Sequence, residues 1–395
     1  MKLVVQVKLT PSPGQAAALE ATLRACNDAA NRVSEVAFAA YGLKARNYDL
    51  RKLAYAALRE DGLGSQAAQH VIKKVCDAYA TLRGNIRAGN LGRPGSARRV
   101  KAESKPIAFR PDAAQPFDQR NLSFSLDART ISIWALGGRL KDVPFACSPG
   151  QLKTLSECPR GEADLFHRDG MWFLAITVDV PEVPLNEEPA GFLGVDLGIV
   201  NIATASDGKI SAGRGLNRHR ARQLDLRRKL QAKGTKSAKR VLKRRSRKEQ
   251  RFATDANYRI AKTIVSTAER TGRGIALEDL SGIRDRVRLR KHQRTTLHSW
   301  AFHQLGQFIA YKAKLAGVPV VFVDPAYTSQ ECSGCHHIDR RNRPNQATFT
   351  CRACGLMLHA DVNGSRTIAH RGAEAWTRAV RHAAQDRHHA VPDAA

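Results

Sequence analysis

Three acidic residues in the C-terminal half of the chain have the setting to do chemistry: Asp196 in GVDLG, Glu278 in GIALEDL and Asp361 in LHADVNGS. The first two end short apolar runs, and a four-cysteine motif lies between the second and the third. Acids placed this way in a strongly basic chain suit metal-dependent cutting of a phosphodiester backbone. Hard Mg2+ ions prefer carboxylate oxygens and keep several waters, and two such ions about 3.5–4 Å apart activate an attacking water and stabilise the leaving oxygen. Taken singly, an Asp after a strand is more often a turn residue or helix cap. Three acids in this order carry the reading, with Asp196, Glu278 and Asp361 as candidate catalytic residues and Mg2+ ligands.

Cys332-x2-Cys335, a 15-residue spacer and Cys351-x2-Cys354 form the pattern of a four-thiolate zinc ribbon. Four thiolates leave Zn2+ no open position for water, so the expected metal is structural. The loop between the pairs carries Arg340, Arg341 and Arg343, which are available to nucleic acid. The competing reading is a redox or disulfide pair. It is disfavoured because two CxxC pairs at this spacing satisfy a tetrahedral site and no secretory signal is visible. Cys26, Cys76, Cys147 and Cys158 are scattered and read as buried thiols.

The elements that must position these groups follow from periodicity. Phe192 to Val195 is an apolar strand ending at Asp196, and Asn201 to Ile210 predicts a second strand turning at Asp207-Gly208. Ile260, Ala261, Ile264, Val265 and Ala268 recur at helical spacing, and Gly272 and Gly274 then break that helix before the strand that ends at Glu278. A further amphipathic helix (Leu297, Trp300, Ala301, Leu305, Phe308, Ile309) feeds a strand over 318–323, and Asp361 opens a last helix. This order of strands, helices and acids resembles the RNase H-like fold of RuvC-type nucleases.

Lys and Arg number 65 against 36 Asp and Glu, a net charge of +29 over 395 residues. Such an excess predicts salt-dependent phosphate binding, hence a nucleic-acid partner. Apolar stretches fall short of the roughly 18–20 residues of a membrane span, and MKLVVQVKLTPSPGQ lacks a signal-peptide core, so a cytoplasmic, nucleoid-associated protein is expected. From Arg214 to Arg251, 17 Lys or Arg stand against Asp225 and Glu249, in what reads as two helices broken near Gly234-Thr235. A solvated helix pair is the bland account. A rail along a nucleic-acid backbone is the functional one, because blocks of like charge repel unless a polyanion neutralises them. Arg227, Arg228, Lys229, Arg240, Lys243, Arg244 and Arg247 are its candidate contacts. Arg366, on the last helix, is a further candidate for the scissile phosphate. His359 either polarises a group at the metal centre or packs locally, and Asp324 before Pro325 suits a turn at least as well as a site.

The N-terminal half predicts a strand over Lys2 to Leu9, a helix opened by Pro11 and Pro13 with Ala16, Leu19, Leu23, Cys26 and Ala30 on its apolar face, and more helices to about Gly89. Gly89 to Lys101 reads as a linker. Short β-runs return over 122–126, 130–134 and 171–178. The domain layout expected is a β-barrel of residues 1–10 and 105–180, a helical insertion of 11–104, a linker of 181–190, a nuclease of 191–327 and 356–377, a zinc ribbon of 328–355, and a frayed tail of 378–395.

GVDLGIVNIATASDG, GIALEDLSGIR, VDPAYTSQECSGCHHIDRRN, FTCRACGLMLHADVNGSRTIA and LTPSPGQAAALEATLRACNDAANRVS together resemble the TnpB family, transposon-encoded RNA-guided DNA endonucleases of the OrfB type. The resemblance covers nearly the whole chain and is most specific from Gly194 to Ile368. It implies an α/β multidomain protein: a wedge-like β-barrel, a helical recognition domain, and a RuvC-like nuclease with a zinc-bearing target-nucleic-acid-binding insertion. It also implies that a noncoding guide RNA pairs with one strand of double-stranded DNA beside a short transposon-adjacent motif, and that one nuclease site cuts both strands. Type V CRISPR effectors share the architecture but are mostly longer in the recognition half. A non-cleaving RNA-guided repressor of the same fold, or a DNA-strand transferase, would be the alternatives. The intact acid triplet argues against the first, and the lack of a transposon-end recognition module against the second.

Overall fold

The structure is a computed structural model that describes residues 1–246, 248–280 and 302–389. The chain divides into two compact units, Met1–Pro181 and Glu182–Ala395, and the boundary falls where the PEVPLNEEP segment begins.

The first unit runs β1 (Lys2–Leu9), α1 (Pro13–Tyr41), α2 (Asn47–Glu60), α3 (Ser65–Arg87), α4 (Ala97–Glu103), β2 (Gln115–Phe117), β3 (Leu122–Ser125), β4 (Thr130–Ala135), β5 (Gly138–Ala146), α5 (Pro149–Glu157), β6 (Arg160–Arg168) and β7 (Met171–Asp179). Its seven strands form one sheet in the order β2-β6-β7-β1-β5-β4-β3. Strand β1 thus joins the later β-runs, as expected, pairing antiparallel with β7 along its whole length. The sheet wraps one core shared by Phe117 of β2, Leu122 of β3 and Trp172 of β7. The Arg160 guanidinium of β6 lies 5.5 Å from the Phe124 ring of β3, so the two ends of the sheet approach each other in a partly closed barrel. Ser12 and Gln15 make a reciprocal capping box at the start of α1, with Pro13 in its first turn, where the missing amide costs nothing. Helices α1 to α3 then bury their own core around Leu50, Val71 and Tyr79. The Gly89–Lys101 stretch is not all linker, since its last residues begin α4.

The second unit runs β8 (Phe192–Asp196), β9 (Asn201–Ala205), β10 (Ile210–Ala212), α6 (Arg214–Lys233), α7 (Lys236–Arg245), α8 (Lys248–Arg270), β11 (Gly274–Glu278), α9 (Phe302–Leu315), β12 (Val320–Val323), β13 (Thr348–Thr350), β14 (Met357–His359) and α10 (Ala360–His389). Five strands form a mixed sheet in the order β10-β9-β8-β11-β12, antiparallel among the first three and parallel from β8 through β11 to β12. Parallel pairing puts the ends of β8, β11 and β12 at one edge, the usual place for a site in such sheets. Helices α8 and α9 cover one side of it, with Ala261, Ile264, Ala268, Leu305 and Ile309 packed on Leu193, Val195 and Leu277.

Four expectations are corrected here. The basic stretch is three helices: Gly234 ends α6 in a left-handed conformation, Thr235 caps α7, and a second break at Ser246 precedes α8. Residues 181–190 are no free linker, because Asn186 and Ala190 donate to the carbonyls of Gly317 and Gly272 (2.8 and 3.0 Å) and Glu187 accepts from the Trp376 indole (3.3 Å). The segment expected as a tail from Arg378 continues α10 as far as His389. Cys26 and Cys76 are buried thiols, but Cys147 and Cys158 are only half-buried. Leu297, Trp300 and Ala301 lie outside the described residues.

Helix α10 crosses β8 backbone to backbone. A Cβ on Gly194 would stand 1.9 Å from the Ser365 carbonyl oxygen and 2.4 Å from the Ala369 nitrogen, so glycine is required by contact. Gly194→Val is expected to destabilise the protein by about 1–3 kcal/mol or more, the cost of overpacking a rigid contact. Thermal or urea unfolding checks this, with Gly215→Ala, where a Cβ meets nothing and the backbone is ordinary, as the milder comparison.

Candidate active site

Val195 pairs with Leu277 in the parallel register of β8 and β11, and each is followed directly by an acid. Asp196 and Glu278 therefore emerge side by side at the edge where these strands end. Asp361 arrives from the first turn of α10. The close crossing at Gly194 makes this possible, and one turn further on a Cβ on Gly364 would lie 3.4 Å from Asp196 Oδ2. The three acids thus come from distant parts of the chain to one place.

Asp361 and Glu278 each have hydrogen-bond support. Asn201, the first residue of β9, donates from Nδ2 to Asp361 Oδ2 at 2.8 Å across 160 residues of sequence. Arg343 Nη2 donates to Asp361 Oδ1 at 3.3 Å. The Thr328 hydroxyl donates to Glu278 Oε1.

Burial, then repulsion from Glu278 and Asp361, pushes the Asp196 carboxyl up to about 7, against the opposing pull of Arg343. Burial also raises Glu278, opposed by the Thr328 hydrogen bond and by Arg371 and Arg343. The site is short of positive charge even with two arginines nearby. Hard oxygen donors under mutual repulsion are the set that a divalent cation satisfies, so the residues present fit such an ion.

The four cysteines of the ribbon meet. Their sulfurs all lie within 4.8 Å of one another, the only set of three or more potential ligands to do so among the described residues. Cys332 Sγ stands 3.6 Å from Cys354 Sγ, and Cys335 Sγ 3.6 Å from Cys351 Sγ. A disulfide needs about 2.05 Å. Thiolates about 2.3 Å from a tetrahedral zinc stand about 3.8 Å apart, so the spacing fits the metal. Backbone amides of Gly334 and Cys354 point at Cys332 Sγ and Cys351 Sγ (3.4 and 3.5 Å), and Phe349, Leu356 and Ala360 close the small core beneath.

Other predicted residues fall where the structure can sort them. Arg227, Arg228, Lys229, Arg240, Lys243 and Arg244 are all exposed on α6 and α7, while Arg247 lies outside the described residues. Arg366 is exposed but five residues past Asp361, about 140° further round the helix, and so does not stand above the acid where a contact to the same phosphate would need it. His359 Nδ1 accepts the Asp361 amide at 3.2 Å, the local capping role. Asp324 Oδ1 accepts the Ala326 amide at 2.9 Å, the turn role. In the cysteine loop, Arg341 is tied to Asp339 at 2.7 Å and Arg340 is exposed, whereas Arg343 turns towards Asp361. Sequence reasoning missed Asn201, Thr328 and Arg371. Thr328 was visible as a polar residue shortly after a strand, but nothing local paired it with Glu278.

Residues 175–281 match the OrfB_IS605 family, described as "Probable transposase", and residues 302–368 match the TNB domain of Cas12f1-like proteins. The chain is 45% identical over 119 residues to the CRISPR-associated endodeoxyribonuclease Cas12f1 of Sulfoacidibacillus thermotolerans, an alignment covering 30% of this chain and 27% of that protein. It is 35% identical over 126 residues to the TnpB-like protein MJ0751 of Methanocaldococcus jannaschii, covering 31% of this chain and 44% of the other. The chain therefore spans less than half the length of these relatives. The protein in a Cas12f1–sgRNA–target DNA complex shares the fold, with a TM-score of 0.59 at 12% identity over 93% of this chain and 98% of that one. The chain is thus similar to TnpB-like and Cas12f proteins over parts of its length, as its motifs implied, and shares the fold of the Cas12f1 structure.

The raised Asp196 sets a pH dependence for the metal-free protein. The folded chain holds the Asp196 proton up to about 7 while the unfolded chain releases it near 3.8, so between these values the native state binds more protons. Stability from this group is full below pH 4, falls as pH rises, and is lost above 7. In chelator, Asp196→Asn should therefore be more stable than wild type at pH 8, by at most about 4 kcal/mol, and melt higher, with the gap closing towards pH 4. Melting curves across pH check the sign.

Proposed function

We propose that the protein is an RNA-guided DNA endonuclease, which uses a RuvC-type nuclease centre to hydrolyse phosphodiester bonds of double-stranded DNA beside a short motif. The observation that carries this reading is the convergence of Asp196, Glu278 and Asp361 at one sheet edge, where burial and then the other two acids raise the first. The strand order β10-β9-β8-β11-β12, with its change from antiparallel to parallel at β8, supports the RNase H-like assignment. The endodeoxyribonuclease name of the Cas12f1 relative and the guide RNA and target DNA in the complex of like fold support the substrate and the guide.

In this reading Asp196, Glu278 and Asp361 hold Mg2+, which supplies charge for the attacking water and the leaving oxygen. Three carboxylates are enough to hold a pair of such ions, which would share the charge of the attacking water and the leaving oxygen between them. Thr328 fixes one oxygen of Glu278, Asn201 fixes one of Asp361, and Arg343 meets the other. The exposed cations of α6 and α7 contact phosphates of the RNA or the heteroduplex, since base pairing selects the sequence and the protein reads backbone and shape. The ribbon cysteines hold a structural Zn2+. A transposon or a CRISPR array could supply the guide, and the Cas12f1 identity keeps the second source open as a reading.

Asp196→Ala, Glu278→Ala and Asp361→Ala should each abolish cleavage by RNA-loaded protein in Mg2+ while leaving guided binding nearly intact, because metal ligands act on the transition state more than on docking. Gel-based cleavage beside filter binding measures both, and full cutting by any of the three overturns the assignment. Cys332→Ser or Cys351→Ser should lower bound zinc from about one per chain and destabilise the ribbon, where thiolate binding supplies folding energy of roughly 10–16 kcal/mol in isolated fingers. Elemental analysis that finds no zinc in wild type purified without chelator would refute this.

A further inference from the structure

The turn after β12 holds a bulky residue in a costly backbone conformation. Tyr327 has φ 62°, the left-handed region that glycine and asparagine tolerate and that crowds a large side chain. Burial does not compensate for it, because the residue is 61% exposed. A lone exposed ring is ordinary on a protein surface; a lone exposed ring kept on strained backbone beside a buried acid is not.

Its surroundings hold it there. Arg371 Nη1 donates to the carbonyls of Asp324 and Ala326 (2.9 and 2.8 Å), and Asp324 Oδ1 takes the Ala326 amide. The Tyr327 carbonyl accepts from the amides of Gln330 and Glu331 (2.8 and 3.0 Å). The next residue, Thr328, donates its hydroxyl to Glu278, and its carbonyl lies 4.0 Å from where a Gly364 Cβ would sit. The turn is pinned from both sides, and Tyr327, exposed on it, directly precedes the residue that holds Glu278.

We propose that Tyr327 is a substrate-binding residue on which a base of the DNA strand entering the acid site stacks, aligning the adjoining phosphate with Asp196, Glu278 and Asp361. This rests on the nuclease reading above. A π face takes any base, so a stacking contact suits an enzyme whose sequence choice is made by pairing elsewhere. Fixing the turn in advance means the ring needs no ordering when the strand arrives.

The test compares Tyr327→Gly, Tyr327→Asn and Tyr327→Phe in RNA-loaded protein on a matched DNA duplex, with 2-aminopurine placed next to the scissile phosphate. Glycine and asparagine both accept the backbone, so both variants should melt no lower than wild type. Each should cut at least about fivefold more slowly, the low end of what one base stack contributes. Each should also fail to quench the 2-aminopurine, and phenylalanine should restore both signals. Equal cutting by wild type and Tyr327→Gly overturns the assignment, as does a phenylalanine variant as slow as the glycine one. So does a lowered melting temperature in both Gly and Asn variants, which would make the ring structural. Wild type that cuts no DNA overturns the nuclease reading itself, which separates the two failures.

Discussion

Repulsion among three carboxylates held at one sheet edge is the constraint around which the second unit is organised. Left to itself, a flexible chain would let such groups separate into water. Here Asp196 and Glu278 are locked by parallel strand pairing, and Asp361 is locked by a helix that meets β8 without side chains between. Burial first, and then repulsion from Glu278 and Asp361, raises the carboxyl of Asp196. A site that stores like charges this way is prepared for cations, and binding them recovers stability that the empty fold gives up.

The ribbon takes part in that preparation. Ala360, where α10 begins, donates its amide to the Ala347 carbonyl just before β13 (2.8 Å), so the hairpin of β13 and β14 sets where the helix starts. Glu331, buried one residue before the first cysteine, pairs with Arg371 of α10, and its carbonyl accepts Asn363 Nδ2 at 2.7 Å. The cysteine-ribbon insertion thereby fixes the register of the helix that carries Asp361. Arg343, from the same insertion, meets that acid directly. The zinc motif and the acid triplet, separate in sequence, are mechanically one construction.

What the sequence made legible was local. Phe192–Val195 and Gly274–Leu277 are buried on both faces, and central parallel strands of that kind read as unbroken apolar runs whose ends mark the acids. The cysteine spacing and the proline start of α1 were legible because they too are local. Strands β5 and β6 were not, because Gly138–Ala146 and Arg160–Arg168 each bury only two residues and otherwise look like polar loop. The second break in the basic helices was hidden because Ser246 carries no strong stop signal beside so many helix formers. Thr328, Asn201 and Arg371 act across 40 to 160 residues of sequence, and no periodicity reports such pairings. Position on a helix was also misjudged for Arg366, where a five-residue step rotates the side chain away from the acid.

The central claim is that these three acids form one site for divalent cations. Titrating chelator-stripped, RNA-loaded protein with Mn2+ and following free ion by electron paramagnetic resonance measures it directly. The account predicts saturable binding that Mg2+ displaces, that weakens as pH falls below about 7 with protonation of Asp196, and that Asp361→Asn removes while the ribbon keeps its zinc. Mn2+ binding that is absent from wild type, or unchanged in Asp361→Asn, would contradict it.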